Sequence, residues 1–315
     1  MILTTSHGVI PAAADVDCHS DGSLKACVPY AATVLETPLG RLIPQFTTDD
    51  VRRKTVQPVT FHPNGMLCAV PLEQRTVVDT PLGPMPAELV TLHGDGSLNR
   101  IFPLNGHLTG YWGQEDEGSL ADPVTLDTPA GVVTARIIGA SFYPGGGVRS
   151  ITLWPGETVT VRTPVGELEA RIGISFREDG TLRSLEPAKP QRIPTPVGEI
   201  SVYDPDAVGL NGDVNSLAFG PTGAVQAVTT VLTAVSVAAA DGVTYVFVPT
   251  SRESLCGDEE KEPVPMRIAF TRHSVTVCVS EDDPSMSFPL RTSVITTAAH
   301  FPMLAQPLGT LRCSV

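Results

Sequence analysis

Basic charge is the first thing this sequence has little of. Twenty-one Lys and Arg stand against 34 Asp and Glu, a formal net charge of −13. Nucleic acids and anionic membranes are bound chiefly through basic surface, so neither is expected as a partner. No apolar run approaches the length of a transmembrane span, and the opening Met1-Ile2-Leu3-Thr4-Thr5-Ser6 lacks the basic-then-apolar pattern of a secretory leader. A cytoplasmic location is the expectation. The six cysteines show no Cys-x-x-Cys spacing. Free buried thiols in a reducing compartment are expected, with Cys18 and Cys27 serving as small hydrophobes.

Catalytic signatures are missing as well. The chain has no Gly-x-Ser-x-Gly, no phosphate-cradling Gly-Lys-Ser/Thr, no His-Glu-x-x-His and no dinucleotide fingerprint. A non-enzymatic protein without cofactor or metal is therefore expected. A carboxylate pair for glycoside chemistry could be assembled from strands distant in sequence, but nothing singles one out.

What the chain does have is a repeat. A turn ending in glycine recurs in two alternating forms. The first form reads Ser20-Asp21-Gly22, Pro63-Asn64-Gly65, Gly94-Asp95-Gly96, Pro144-Gly145-Gly146, Glu178-Asp179-Gly180 and Pro221-Thr222-Gly223. The second reads Ser6-His7-Gly8, then Thr-Pro-x-Gly ending at Gly40, Gly83, Gly131, Gly166 and Gly198. The recurring steps between turn glycines are 14 (8 to 22, 166 to 180) and 18 (22 to 40, 65 to 83, 180 to 198), giving a unit of 14 + 18 = 32 residues. Three steps are longer, 25, 35 and 25, and mark insertions near 44–58, 103–121 and 203–216.

Proline presets φ near −65° and glycine enters positive φ freely, so these are hairpin turns. A three-residue loop in the first form places Cys18 opposite Leu24, Phe61 opposite Leu67, Leu92 opposite Leu98, Phe142 opposite Val148, Phe176 opposite Leu182 and Phe219 opposite Val225. All of these pairs are expected to be buried; a two-residue loop would split each between faces. From Leu168 to Phe176, apolar residues alternate with Glu169 and Arg171, as in a half-buried strand. No amphipathic helix longer than two turns is expected. The fold class is all-β: repeated antiparallel hairpins forming an elongated twisted or rolled sheet over residues 1–228. Residues 229–315 form a degenerate repeat or β-rich cap. There, Ala240-Asp241-Gly242 falls where a second-form turn belongs. Phe270 to Val277 reads as a degraded first-form hairpin, displaced by an insertion around Glu253–Glu262.

The stretches Phe142-Tyr143-Pro144-Gly145-Gly146-Gly147-Val148-Arg149-Ser150 and Phe176-Arg177-Glu178-Asp179-Gly180-Thr181-Leu182-Arg183-Ser184 resemble the aromatic-x-x-Asn/Asp-Gly-x-Leu-x-Ser repeats of bacterial MORN-like proteins. With its Thr-Pro-x-Gly turns, the whole arrangement is similar to uncharacterised bacterial proteins with variant MORN-type repeats, over about residues 1–228. The resemblance implies architecture and carries no catalytic residues.

Candidate sites are few. His19, His62 and His93 share one repeat column, as a metal ladder would. With four strands side by side in each unit they would lie roughly 19 Å apart, too far to share an ion, and an outward-facing polar column is expected. The insertion at 103–121 holds His107, Tyr111, Trp112, Glu115 and Asp116. Aromatic rings beside carboxylates are how sugars, cations and peptides are often held, so these residues are the candidate ligand site. Asp204 to Asn215 is rich in oxygen donors but fits a calcium loop poorly, and Asx turns explain it better. Asp49-Asp50 with Arg52-Arg53-Lys54 in the first insertion reads as solvated mixed charge.

The function expected is a scaffold or a protein- or peptide-binding module. The alternative is a carbohydrate-binding or carbohydrate-processing protein using the 103–121 insertion. A single-layer sheet has an apolar face to cover, which makes a second copy of the chain a candidate partner.

Overall fold

The turn chemistry yields an all-β chain of antiparallel hairpins with one short helix among the described residues. The computed structural model describes residues 1–208, 215–253, 261–280 and 284–301. The chain divides into two compact units. The first comprises Met1–Arg162 with Ala170–Arg183. The second comprises Thr163–Glu169, Ser184–Val208 and the described residues from 215 onward.

In the first unit, strands β1 (Ile2–Thr5), β2 (Gly8–Cys18), β3 (Leu24–Pro29), β4 (Leu35–Thr37), β5 (Gly40–Leu42), β6 (Val59–Phe61), β7 (Leu67–Thr80), β8 (Gly83–Leu92) and β9 (Leu98–Phe102) precede helix α1 (Gln114–Ser119). Then come β10 (Val124–Thr128), β11 (Gly131–Ala135), β12 (Ile137–Phe142), β13 (Val148–Leu153), β14 (Thr158–Thr163) and β15 (Gly166–Phe176), of which Thr163 and Gly166–Glu169 fall in the second unit. The main sheet runs β1-β2-β3-β6-β7-β8-β9-β12-β13-β15, all antiparallel, while β4–β5 and β10–β11 are separate small hairpins.

First-form turns behave as their loop length requires. Cys18 pairs with Leu24, Phe61 with Leu67, Leu92 with Leu98, Phe142 with Val148 and Phe219 with Val225. Glycine takes φ of 83°, 81°, 86°, 83°, 82° and 81° at Gly22, Gly65, Gly96, Gly146, Gly180 and Gly223. A one-residue bulge follows each of the five pairs, because Asp17 pairs with Ala26, Thr60 with Ala69, Thr91 with Arg100, Ser141 with Ser150 and Ala218 with Ala227. The skipped residues are Lys25, Cys68, Asn99, Arg149 and Gln226. A bulge resets the two-residue alternation. It thereby lets Val148 and Ile151, three apart, both be buried.

Second-form turns differ from the expected three-residue loop. Thr5 pairs with Gly8, Thr37 with Gly40, Thr80 with Gly83, Thr128 with Gly131 and Thr195 with Gly198, leaving two loop residues. A threonine closes each. Thr37 Oγ1 donates to the Gly40 carbonyl at 2.8 Å and accepts the Leu39 amide at 3.1 Å. Thr5, Thr80, Thr128, Thr163 and Thr195 repeat both bonds.

The two turn forms sit in two rows. Strand β2 breaks register between Ala12 and Val16 and β7 between Pro71 and Thr76, while Ile172 in β15 has a φ of 61°. That is the positive-φ position among the described non-glycine residues. The break in β15 also interrupts the alternation expected from Leu168 to Phe176: Ala170, Ile174 and Phe176 are buried while Ile172 is half-exposed. Amides link the second row from hairpin to hairpin, Glu36 N to His7 O at 2.8 Å, Asp127 N to Leu82 O at 3.0 Å and Arg162 N to Ala130 O at 3.2 Å. The core draws on both rows: Phe61, Leu92, Phe142, Ile151 and Phe176 from one, Leu35, Leu42, Met85 and Leu126 from the other. The two rows of the first unit thus share one core.

Two expectations for the repeat columns are corrected. Cys18 is exposed and its partner Leu24 only half-buried, unlike the Phe and Leu pairs of the later hairpins. Cys27 is buried, which pushes its thiol up to about 11. Nor does the histidine column face outward, because each unit adds two strands to the sheet, not four. His19 Nε2 lies 3.0 Å from the Phe61 carbonyl, His62 Nε2 2.9 Å from that of Leu92 and His93 Nε2 3.0 Å from that of Phe142. Tyr143 Oη continues the series, donating to Phe176 O at 3.0 Å.

The second unit contains β16 (Leu182–Pro187), β17 (Gln191–Thr195), β18 (Gly198–Val202), β19 (Leu217–Phe219), β20 (Val225–Thr230), β21 (Thr233–Ala238), β22 (Thr244–Phe247), β23 (Thr250–Glu253), β24 (Lys261–Val264), β25 (Met266–Phe270), β26 (Ser274–Cys278), β27 (Met286–Pro289) and β28 (Val294–Ala299). One sheet runs β16-β19-β20-β25-β26-β27 and another β22-β21-β28. The two degenerate turns exchange the forms expected of them. Gly242 has φ 83°, and Asp241 Oδ1 accepts the Val243 amide at 2.9 Å as in a first-form turn. Phe270 pairs with Val275, and Thr271 Oγ1 accepts the His273 amide at 3.2 Å, the threonine closure of the second form. Asp204 Oδ1 accepts the Asp206 amide at 3.0 Å, the expected Asx turn. Residues 209–214 of that loop lie outside the described residues, as do residues 254–260, Cys256 and Cys313.

Candidate functional site

The insertions at 44–58 and 103–121, far apart in sequence, meet through one arginine. Arg52 is placed by a tight loop in which Asp49 Oδ1 accepts the amides of Val51 and Arg53 at 2.9 and 2.8 Å. Its guanidinium holds Glu117 with Nε to Oε2 at 2.7 Å and Nη2 to Oε1 at 2.7 Å. On its other side it holds Glu88 of β8, with Nη1 to Oε1 at 3.2 Å and Nη2 to Oε2 at 2.5 Å. The Arg52 side chain is 14% exposed and those of the two glutamates 6%. The first insertion is therefore not simply solvated, because burying Arg52 is offset by two carboxylates at once.

Glu117 has every lone pair it needs occupied. Oε1 also accepts the Gly106 amide at 2.8 Å, and Oε2 accepts the Trp112 indole N–H at 2.6 Å. Burial alone pushes its carboxyl up, but the bonds from Arg52, Trp112 and Gly106 bring it below the ordinary carboxylate value. Glu88 accepts the Asn105 amide at 2.9 Å, and the Arg52 carbonyl accepts the His107 amide at 2.9 Å. Arg75 adds an outer layer, reaching Glu88 at 3.5 Å and Asp122 at 3.1 Å.

The structure separates the five sequence-derived site residues. Trp112 is half-buried and spent on Glu117, His107 is exposed, and Tyr111 stands 85% exposed with Lys54 Nζ 5.5 Å from its ring centroid. Glu115 and Asp116 lie on the first turn of α1, where Asp116 Oδ2 accepts the Gly113 amide at 2.7 Å. Only these last two reach a cavity. It has a volume of about 800 Å³ and is lined by Gly113–Asp116, Gly118, Ser119, Arg136, Trp154 and Pro155.

Sequence reasoning missed the far wall of this cavity. Trp154 and Pro155 open the turn between β13 and β14, where Gly156 has a φ of 84° and Glu157 N donates to Trp154 O at 3.0 Å. The Trp154 ring packs against α1; a methyl group at Gly118 would meet its Cε3 and Cζ3 at 3.4 Å. Its indole Nε1 is buried without a partner in the structure. Arg136 contributes a half-exposed guanidinium whose charge is matched by Glu157, with Nε to Oε1 at 2.9 Å and Nη2 to Oε1 at 2.8 Å. Burial pushes the Glu157 carboxyl up, and the Arg136 amide and guanidinium more than reverse it. One signal was available: Trp154-Pro155-Gly156 interrupts the repeat with the chain's other tryptophan.

Among the described residues, no group of three or more His, Cys, Asp or Glu is placed to hold a metal ion, and no helix is long and apolar enough to cross a membrane. The chain matches no protein-family model, no curated protein and no solved structure.

Proposed function

We propose that this protein is a non-enzymatic β-repeat scaffold that binds a protein or peptide segment in the cavity beside α1. One observation carries the reading. The largest interruption of the repeat is fastened to another interruption by the Arg52 clamp, and beside it lies a cavity of about 800 Å³ with an indole on one wall and carboxylates on the other. A preformed hollow that sets polar and charged groups beside an aromatic residue can grip a peptide segment at modest ordering cost. Glu117, the buried acid of the insertion, is saturated by Arg52, Gly106 and Trp112, which leaves it no capacity for proton transfer. The likeness to variant MORN-type repeats and a bacterial origin belong to the same reading, supported by the repeat motifs. A cytoplasmic location is supported by the free thiols of Cys18, Cys27 and Cys68.

The test is amide shift mapping with a panel of synthetic peptides of varied charge. Saturable shifts gathered on Gly113–Ser119 and Trp154–Glu157 are the expected result. A panel that moves no residue there would refute the reading.

A further inference from the structure

The cavity's charge is one-sided, although charged groups line both walls. On one wall, Arg136 is neutralised by Glu157, which takes both its side chain and its backbone amide, at 2.9 and 3.0 Å. On the other, Glu115 and Asp116 are exposed on α1 with no basic residue in its last turn, and Asp116 spends one oxygen on a backbone amide. The charges that remain uncancelled are negative. Beside Arg136 on the far wall stand Pro155 and the 9% of Trp154 left exposed, apolar surface against which an aliphatic stem packs.

Resting on the reading that this cavity binds a peptide, we propose that the segment it takes is basic: an arginine or lysine side chain enters, its methylenes against Trp154 and Pro155 and its cationic head at Glu115 and Asp116. A guanidinium fits better than an ammonium, because its planar fork can reach two neighbouring carboxylates at once. An acidic or purely apolar segment would meet uncancelled negative charge. Glu117 cannot serve, since its oxygens are held by Arg52, and this division of labour matters: one glutamate of α1 fastens the loop so that its neighbours Glu115 and Asp116 are presented at the rim.

The experiment titrates the full chain with three acetylated, amidated hexapeptides, Gly-Pro-X-Leu-Gly-Ser, where X is arginine, citrulline or glutamate, followed by tryptophan fluorescence and amide shifts. Citrulline keeps the shape of arginine without its charge. The expected result is saturation by the arginine peptide, at least tenfold weaker binding of the citrulline peptide, and a further loss above 0.5 M salt, because charges in an open cavity are screened. Glu115→Gln with Asp116→Asn should weaken the arginine peptide about tenfold and leave the thermal midpoint within a few degrees, since the new side-chain amide keeps an oxygen for the Gly113 N–H. Equal binding of the three peptides at the cavity would overturn the basic-ligand proposal while leaving the binding module standing. Failure of all three at millimolar concentration would overturn both.

Discussion

Arg52 grips Glu117 at both carboxylate oxygens, across sixty-five residues of sequence. Two interruptions of a repeat are thereby made into one rigid feature. Replacing Arg52 with methionine would leave Glu117 buried without a cation and Glu88 with Arg75 alone, which costs about 3–5 kcal/mol. Urea unfolding should show that loss. Converting Arg52, Glu88 and Glu117 together to apolar residues should cost less than the single change, because the desolvation of all three charges disappears with them.

Acid should act on the same contact. The folded Glu117 carboxyl titrates below its ordinary value of 4.5. The unfolded chain therefore binds the proton first, and the stabilisation is fully present above about pH 4.5 and fades as pH falls through the lower folded value. Trp112, which donates to Glu117, reports the change by fluorescence. A Glu117→Gln variant should lack the acid-dependent step of the wild-type titration and be less stable at neutral pH.

Thiol chemistry separates the two cysteines of the first hairpin. Cys18 is exposed and should be alkylated at pH 8 within minutes in the folded protein. Cys27 is buried, with its thiol pushed up to about 11, and should stay unmodified until the chain unfolds. Peptide mapping by mass spectrometry after iodoacetamide checks both. Fast labelling of Cys27 would contradict its place in the core.

The turn glycines are not equivalent. Gly22 has φ 83° and open space around it, so Gly22→Ala should cost only the backbone penalty of about 1–2 kcal/mol. Gly223 has φ 81°, and a methyl group there would meet Pro164 at 3.2 Å. The same substitution at Gly223 should cost more, read as a larger drop in the thermal midpoint. Pro38 sits 3.5 Å from such a methyl at Gly96, Pro129 3.6 Å at Gly180 and Pro81 3.9 Å at Gly146, so with Pro164 four prolines of the second turn form seat against glycines of the first.

Loop length made the pairing legible in the sequence. A three-residue turn fixes which residues meet, and Phe142 with Val148 or Phe219 with Val225 follow directly. What escaped notice depends on contacts between hairpins. His62 read as solvent-facing because its own strand turns it off the core, but the neighbouring hairpin supplies the Leu92 carbonyl. Cys18 read as buried because its column is, yet in the first hairpin it is exposed. Ser6-His7-Gly8 read as a second-form turn without its proline, and Thr5 closes it as the other threonines close theirs. In the site, Arg52 was dismissed for the company of Asp49, Asp50 and Lys54, since no local pattern announces a partner at Glu88 or Glu117.

The one-way reach of His19, His62, His93 and Tyr143, each to the carbonyl of the hairpin that follows, gives the row a direction. Such a row can lengthen by gene duplication: a copied hairpin brings its own donor and its own acceptor and needs no change in the residues flanking it. The same independence lets a loop grow between hairpins without disturbing the rest, which is how a structural array can acquire a new binding specificity in a single inserted stretch.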